Sequence, residues 1–175
     1  MIKPIAKLII ALNGNLQKGQ IAAGFCWGLL LGLIPAGNAF WIVLFVISFL
    51  FKHHHASKVL VMAILKLASG AFAPLLDMAG WEILHIEALQ PLFTQLYNMP
   101  FVPFTKFNNT LVAGGLVSGI VLMLPVFILV SLLVPVYRSK LLPKIRESKI
   151  IGVIKKLPLV APIIDAVSKA ALSGK

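Results

Sequence analysis

The sequence predicts an all-α integral membrane protein, with a re-entrant or short helical hairpin, two transmembrane helices and interfacial amphipathic helices. Apolar residues make up 59% of the 175 residues, which is too high for an ordinary soluble domain. The apolar runs are continuous and lack the alternating pattern of barrel strands, so helices must satisfy the backbone in lipid. We divide the chain into a membrane domain, residues 1–137, and a basic amphipathic cytoplasmic tail, residues 138–175.

The longest uncharged stretch, residues 21–51, predicts the hairpin. As one straight helix it would rise roughly 46 Å, whereas the hydrocarbon core of a bilayer is roughly 30 Å thick. Pro35 and Gly37 interrupt the stretch, and these residue types favour a break and a reversal of the chain. The two arms therefore either re-enter the side from which they came or make two short crossings.

Three residues form a candidate polar site inside the membrane: Pro35, Asn38 and Lys66. Asn38 precedes the second arm and can cap it, which would point the free amides of a half-helix into the membrane. Lys66 lies near the middle of the next predicted span, residues 59–76, where a lysine costs about 2.5 to 3.5 kcal/mol on insertion scales. Two plainer interpretations stay open: Asn38 only satisfies a helix end, and Lys66 reaches the headgroups from a shallow helix.

Glycines at four-residue spacing predict close helix packing in two places. The first arm carries Gly24, Gly28 and Gly32 on one helical face, and a later helix carries Gly115 and Gly119. Such rows let another backbone approach closely. We interpret them as contacts within the chain, with the second arm or a later helix, and a seam between two copies is the alternative.

The remaining segments complete the membrane domain. Residues 4–12 predict a short amphipathic helix, lying in the cytoplasmic interface or packed on the protein. Residues 79–98 predict an amphipathic helix on the non-cytoplasmic face that is interrupted at Pro91. Residues 111–136 are the clearest transmembrane helix, and Asn108 and Asn109 stand where its N-terminal cap is expected.

The sequence predicts no enzyme, no metal site and no cofactor. The polar connection formed by Lys52, the histidine run His53 to His55, and Lys58 is interpreted as an interfacial loop. No Cys, Asp or Glu is adjacent to the histidines to complete a metal site. Glu82 and His85 share a helical face, as many inert surface pairs do. Cys26 has no second cysteine to pair with. No nucleophile, base and acid are found together at membrane depth.

The net charge of +11 is distributed unevenly along the chain. Residues 138–175 carry nine Lys or Arg against two acids, whereas residues 77–106 carry three acids against one lysine. By the positive-inside rule both termini are cytoplasmic and the acidic segment lies outside. We expect the basic tail to meet anionic lipid headgroups, and we expect no nucleic acid, because no aromatic-interleaved basic groove accompanies the charge.

Several stretches resemble a family of uncharacterised bacterial membrane proteins, grouped as domain of unknown function two thousand and sixty-two. Residues 18–25 read Lys-Gly-Gln-Ile-Ala-Ala-Gly-Phe, and the arm closes on Leu-Ile-Pro at 33–35. The Leu-Asp pair that ends at Asp77 and the stretch 107–114, Phe-Asn-Asn-Thr-Leu-Val-Ala-Gly, are similar to a subgroup of small conserved hypothetical proteins. Gly19 departs from the pattern, which usually has proline there. The resemblance implies the bacterial inner membrane, no established activity and a larger envelope protein as partner.

Two functions follow as hypotheses. The first is an accessory or structural subunit of an envelope assembly with a lipid-related role, docked on a larger envelope protein or forming a homo-oligomer. The second is a small transporter or channel, in which the hairpin of residues 21–51 forms a path with Asn38 and Lys66 as its polar lining.

Overall fold

The computed structural model describes residues 17–141, and this range is helical and contains no strand. The predicted all-helical fold is thereby confirmed for these residues. The predicted helix at 4–12 and the tail beyond residue 141 lie outside them. The six α-helices are α1 Lys18–Leu33, α2 Ala39–Ile47, α3 His55–Leu67, α4 Ser69–Leu84, α5 Gln90–Tyr97 and α6 Thr110–Val136. Short 3-10 turns occupy Ser48–Leu50, Glu87–Leu89 and Val102–Thr105, and a π-helical turn, Tyr137–Leu141, follows α6.

The chain reverses between α1 and α2, as the sequence predicts. Helix α1 ends at Leu33, and the next residue, Ile34, has an extended backbone. Gly37 adopts a φ of 90°, a backbone conformation that residues with a side chain disfavour. The chain then returns to the end where α1 began. There the amide of His54 donates a hydrogen bond of 2.9 Å to the carbonyl oxygen of Gln20. Both ends of the 21–51 stretch therefore lie at the same end of the fold.

Helix α3 runs beside α1 in the same direction, and the chain then bends by 86° into α4. The segment 59–76, predicted as one span, is divided by this bend at Ala68, which is not helical. The two residues that follow, Ser69 and Gly70, are weak helix formers, and Ser69 Oγ donates to the carbonyl oxygen of Lys66 at 2.8 Å. This local hydrogen bond competes with the backbone hydrogen bonds that would continue the helix.

The interruption of the predicted helix at 79–98 also lies at a different residue than expected. Helix α4 ends at Leu84, and a 3-10 turn separates it from α5. Pro91, the expected point of interruption, instead lies in the first turn of α5. Proline is tolerated there because the first amides of a helix have no partner within the helix. The break falls before the proline.

Helix α6 runs antiparallel to α1 and packs against both α1 and α4. Near the start of α1 the core contains Ile21 and Ala22 with Val130 and Val134 of α6. Near the end of α1 it contains Leu30 and Ile34 with Val112. Asn109 begins α6 as a true N-cap, since its Oδ1 accepts from the amide of Val112 at 3.2 Å.

One described helix, Thr110–Lys140, is long and apolar enough to span a membrane, and the bent pair α3 and α4 is a second candidate if it counts as one span. Only 17% of the most apolar window of that helix is buried. Large apolar side chains on α6 are exposed, among them Val121, Leu124 and Leu132. Helix α2 is similar, because none of its residues is buried.

Most of the charged residues described lie at one of two ends of the fold, basic residues at one end and acidic residues at the other. Lys18 and Lys52 lie at the end where α1 starts, and Arg138 and Lys140 follow the end of α6 that packs there. The three acids of the described range, Asp77, Glu82 and Glu87, lie in α4 and the turn after it. We call the first of these the basic end and the second the acidic end.

Candidate functional site

The three residues predicted as a polar site meet at the reversal between α1 and α2. The Nζ of Lys66 donates a hydrogen bond to the carbonyl oxygen of Ile34. The Nδ2 of Asn38 donates to the carbonyl oxygen of Pro35 at 2.7 Å. We call these four residues, Ile34, Pro35, Asn38 and Lys66, the bend site. Two side chains that are far apart in the sequence thus bind two successive carbonyl groups of the reversal.

The end of α1 explains why these carbonyls need donors. The last four carbonyl groups of a helix have no partner within it, and Pro35 has no N–H to offer. Lys66 supplies a donor to Ile34, and the indole Nε1 of Trp41 supplies one to the carbonyl oxygen of Leu31 at 2.9 Å. A cation at the negative end of a helix dipole is also favourable. Lys66 therefore acts as a side-chain cap for α1.

Asn38 has both of its polar groups occupied by the chain itself. Its Oδ1 accepts from the amide of Trp41 at 2.8 Å, so Asn38 is the N-cap of α2 and the predicted capping role is confirmed. Its Nδ2 holds Pro35, and the residue is only 4% exposed. The plainer interpretation, a satisfied helix end, accounts for every contact of this side chain that the structure gives.

A cavity of about 350 Å³ lies beside the bend site, at the break between α3 and α4. Its wall includes Pro35, Lys66, Ser69 and Gly70, with apolar side chains making most of the rest. Asn38 is not part of the wall. The structure therefore brings two of the three predicted residues to one cavity and assigns the third to helix capping.

A second lysine, Lys58, is buried and was not predicted as a site. It is 1% exposed, its Nζ donates to Ser48 Oγ at 2.7 Å, and the Nζ lies 3.9 Å from the centre of the Phe49 ring. The prediction that His55 and Lys58 belong to an interfacial loop is wrong, because α3 begins at His55. One signal was available: Lys58 and Lys66 are eight residues apart, which places both on one helical face.

His53 lies buried in the connection between α2 and α3. Its Nδ1 interacts with the carbonyl oxygen of Phe51 at 2.9 Å, and its Nε2 has no hydrogen-bond partner within the described range. Burial lowers the pKa of His53 below its ordinary value, and the neighbouring His55 and Lys58 lower this pKa further. His53 is therefore held in its neutral form more strongly than an exposed histidine.

The predicted packing glycines of α1 contact α3. A Cβ on Gly24 would lie 2.5 Å from the carbonyl oxygen of His54, and one on Gly28 would lie 2.6 Å from that of Lys58. Gly32 faces the Leu65 side chain in the same way. This row of glycines is therefore filled by a later helix of the same chain, which is one of the two partners expected for it.

The glycines of α6 face α1 and α4. A Cβ on Gly115 would lie 2.8 Å from the carbonyl oxygen of Leu33, and one on Gly119 would lie 2.6 Å from the Leu30 side chain. Gly80 and Gly114, which the sequence did not single out, face each other between α4 and α6. A Cβ on either would overlap a backbone carbonyl of the other helix, so this crossing is the closest of all.

The motif residues Asp77, Asn108 and Asn109 lie together at the acidic end, where α6 begins. Asp77 Oδ1 accepts a hydrogen bond from Thr110 Oγ1, which ties α4 to the first residue of α6. Asn109 caps α6, and Asn108 lines a surface pocket. Two of the three residues thus fix how α6 begins. Within residues 17–141 no group of His, Cys, Asp and Glu side chains could hold a metal ion.

The described residues define an all-helical protein with one helix long and apolar enough to span a membrane. The chain belongs to the same family as an uncharacterised protein of Treponema pallidum (strain Nichols). The two are 31% identical over 159 residues, which cover 91% of this chain and 98% of that relative. No family model matches the chain, and no solved structure matches it.

Proposed function

We propose that the protein is an accessory or structural subunit of a bacterial envelope assembly, held in the inner membrane. One observation carries this proposal. The polar groups of the bend site bind one another and the backbone, whereas the outer faces of α2 and α6 are apolar and exposed. A protein whose polar groups at this bend are satisfied and whose outer faces are apolar is suited to packing against lipid and against other membrane helices.

The distribution of charge supports a topology with both termini in the cytoplasm. The basic end, with Lys18, Lys52 and Arg138, would face the cytoplasm, and the acidic end would face outward. Helices α1 and α2 would form a hairpin that returns to the cytoplasmic side, α3 and α4 would be a broken span, and α6 would lead back. The basic tail would then lie against anionic headgroups.

The proposed partner is a larger envelope protein, with a second copy of this chain as the alternative. On the basis of the sequence motifs at 18–35 and 107–114, we propose that the chain belongs to the domain-of-unknown-function family named above. The larger partner is what membership in that family implies. The exposed apolar faces offer two docking surfaces, one on α2 around Val46 and one on α6 around Val121. The side chains of Val46 and Val121 are 59% and 64% exposed.

The test is mass spectrometry of the proteins that co-purify from native membranes after gentle solubilisation. The variants Val46→Trp and Val121→Trp are compared with the control Leu67→Trp. Leu67 is 79% exposed and lies at the break between α3 and α4. Lipid accommodates an added ring, but a packed protein interface does not. We expect one larger protein in fixed ratio with the wild type, lost from one of the first two variants and retained by the third. A monomer with no partner, even after cross-linking in the membrane, would contradict the proposal.

A second candidate function, a small transporter or channel, is favoured by the cavity beside Lys66. Its wall combines that lysine with the break between α3 and α4, an arrangement that discontinuous transporter helices also use. Lys66→Met keeps the length of the side chain and removes the charge. If this variant loses solute flux in vesicles but still binds its partner normally, transport replaces the accessory role as the proposed function. Unchanged flux would exclude a transport path lined by Lys66.

A further inference from the structure

A surface pocket lies at the acidic end, and none of its wall residues belongs to the bend site. It has a volume of about 440 Å³ and is bounded by α4, α5 and the residues before α6. Five ring side chains contribute to its wall: Trp81, His85, Phe93, Tyr97 and Phe107. We call it the aromatic pocket. Nothing in the proposed docking role requires a pocket here.

Contacts between the rings hold them in place on both sides of the pocket. Trp81 and His85 stack with ring centres 3.8 Å apart, and the Nδ1 of His85 interacts with the carbonyl oxygen of Trp81 at 2.8 Å. Across the pocket Phe93 and Phe107 are tilted, with ring centres 6.2 Å apart. Tyr97 is about half exposed. The pocket is therefore walled by π-systems that are already arranged in the free protein.

The hydrogen-bond donors around the aromatic pocket are turned toward the chain itself. Gln90 Nε2 donates to the carbonyl oxygen of Leu84 at 2.5 Å, and Thr94 Oγ1 donates to that of Gln90 at 2.9 Å. Asn98 Nδ2 donates to the carbonyl oxygen of Thr94 at 2.9 Å, and Thr110 Oγ1 donates to Asp77. These four side-chain donors of the wall are therefore engaged within the chain.

The charge around the pocket is negative. The acids Asp77, Glu82 and Glu87 lie in the segment that forms one wall, and between residues 69 and 110 the one lysine or arginine is Lys106. Aromatic faces attract cations through their quadrupole, and nearby carboxylates raise the local concentration of cations. The pocket therefore favours a positively charged group that fits between rings.

We propose that the aromatic pocket binds a quaternary ammonium group of the choline type. Such a cation has no N–H to satisfy and is recognised chiefly by aromatic faces, which matches a wall rich in rings. The group would come either from a soluble solute or from the headgroup of a zwitterionic lipid. The pocket opens on the surface of the protein, so both sources have access to it.

The test is calorimetric titration of the full-length protein, purified in a maltoside detergent, with choline and with its neutral isostere 3,3-dimethylbutanol. We expect choline to bind at least roughly tenfold more tightly, because the two molecules differ in charge and hardly in shape. Equal affinity for both molecules would show that the pocket recognises shape alone and would overturn the proposal. Absence of saturable choline binding would overturn it as well.

Two variants locate the site. Trp81→Leu removes a ring that α4 contributes to the wall and Tyr97→Leu removes one that α5 contributes, and each is expected to weaken choline binding roughly tenfold. Phe101→Leu is the control, since Phe101 is 80% exposed and lies outside the pocket. Circular dichroism shows whether each variant keeps its helices. Choline affinity unchanged in both folded variants would place binding elsewhere and overturn the proposal.

Nanodiscs separate the two sources of the ligand. If the occupant is a lipid headgroup, choline binds more weakly to protein in phosphatidylcholine discs than in phosphatidylglycerol discs, because lipid already fills the pocket. Equal affinity in the two kinds of disc assigns the site to a soluble solute. The experiment does not involve the envelope partner, so its failure would leave the accessory proposal standing.

Discussion

Lys66 and Ile34 are 32 residues apart in the sequence, and the Nζ of the one donates a hydrogen bond to the carbonyl oxygen of the other. This bond joins the end of α3 to the end of α1, where the chain reverses. A carbonyl at a helix end needs a donor from outside the helix, and here the donor comes from the neighbouring helix. The bond therefore serves both as a cap and as a link between helices.

Lys66→Met is expected to lower the free energy of unfolding by about 1 to 3 kcal/mol. The variant keeps the apolar stem but leaves the Ile34 carbonyl oxygen without this donor, and a buried group without a partner carries that penalty. Denaturant unfolding in detergent measures the change. The control is Lys52→Met, an exposed lysine at the basic end. Equal stability of the two variants would show that water replaces the lysine at the bend.

Lys58→Met is expected to have the opposite sign, leaving the free energy of unfolding unchanged or raising it by roughly 1 kcal/mol. Lys58 binds the Ser48 hydroxyl, and that hydroxyl itself donates to the carbonyl oxygen of Phe45 at 2.6 Å. Its removal therefore leaves no backbone group without a donor, and methionine fills the same space beside Phe49. The same unfolding measurement applies. A loss above about 1 kcal/mol would mean that the contacts of the ammonium group with Ser48 and Phe49 outweigh the cost of its burial.

Gly80→Ala is expected to destabilise the fold by about 3 kcal/mol, at the upper end of overpacking effects. Its Cβ would overlap the carbonyl oxygen of Thr110, which is backbone and cannot rotate away. Gly70→Ala is the matched control, because nothing lies within 4 Å of its added Cβ and it belongs to the same helix. The control should be neutral or stabilising by up to about 1 kcal/mol, since alanine is the better helix former. Thermal unfolding of the pair checks the contrast, which equal midpoints would refute.

His53 predicts a dependence of stability on pH. Its pKa in the folded protein is lowered, mainly by burial, so below the ordinary value of about 6.5 the unfolded chain takes up a proton more readily than the folded one. The stability that His53 contributes is therefore complete above about pH 6.5 and is lost as the pH falls below it. His53→Gln should flatten the fall in unfolding midpoint between about pH 7.5 and 5.5. A wild-type slope in His53→Gln would contradict the assignment.

The parts of the fold that depend on local chemistry could be predicted from the sequence. Asn38 and Asn109 were expected to cap their helices, and both do, because capping requires only a short polar side chain beside the amides that it binds. The reversal at Gly37 followed in the same way from the backbone freedom of glycine. Glycine spacing also predicted where helices pack closely.

The partners of these residues could not be predicted, because they are set by tertiary contacts. The spacing of Gly24, Gly28 and Gly32 indicates a close approach but not that α3 supplies the approaching backbone. The burial of Lys58 depends on the 3-10 turn that brings Ser48 beside it. The break at Ala68 interrupts a run whose apolar pattern continues on both sides, so hydropathy alone did not reveal it. Each of these features needs a second segment whose position the sequence does not specify.

The contact between Gly80 and Gly114 places an unusual restriction on how this chain can change over time. Elsewhere in a core, a larger side chain on one helix can be compensated by a smaller one on its neighbour. Here both residues are already the smallest there is, and the space of each missing Cβ is filled by main chain. No exchange of side chains can make room, so any other residue at either position requires the two helices to separate. In relatives that keep α4 and α6 in this arrangement, we expect both positions to be glycine.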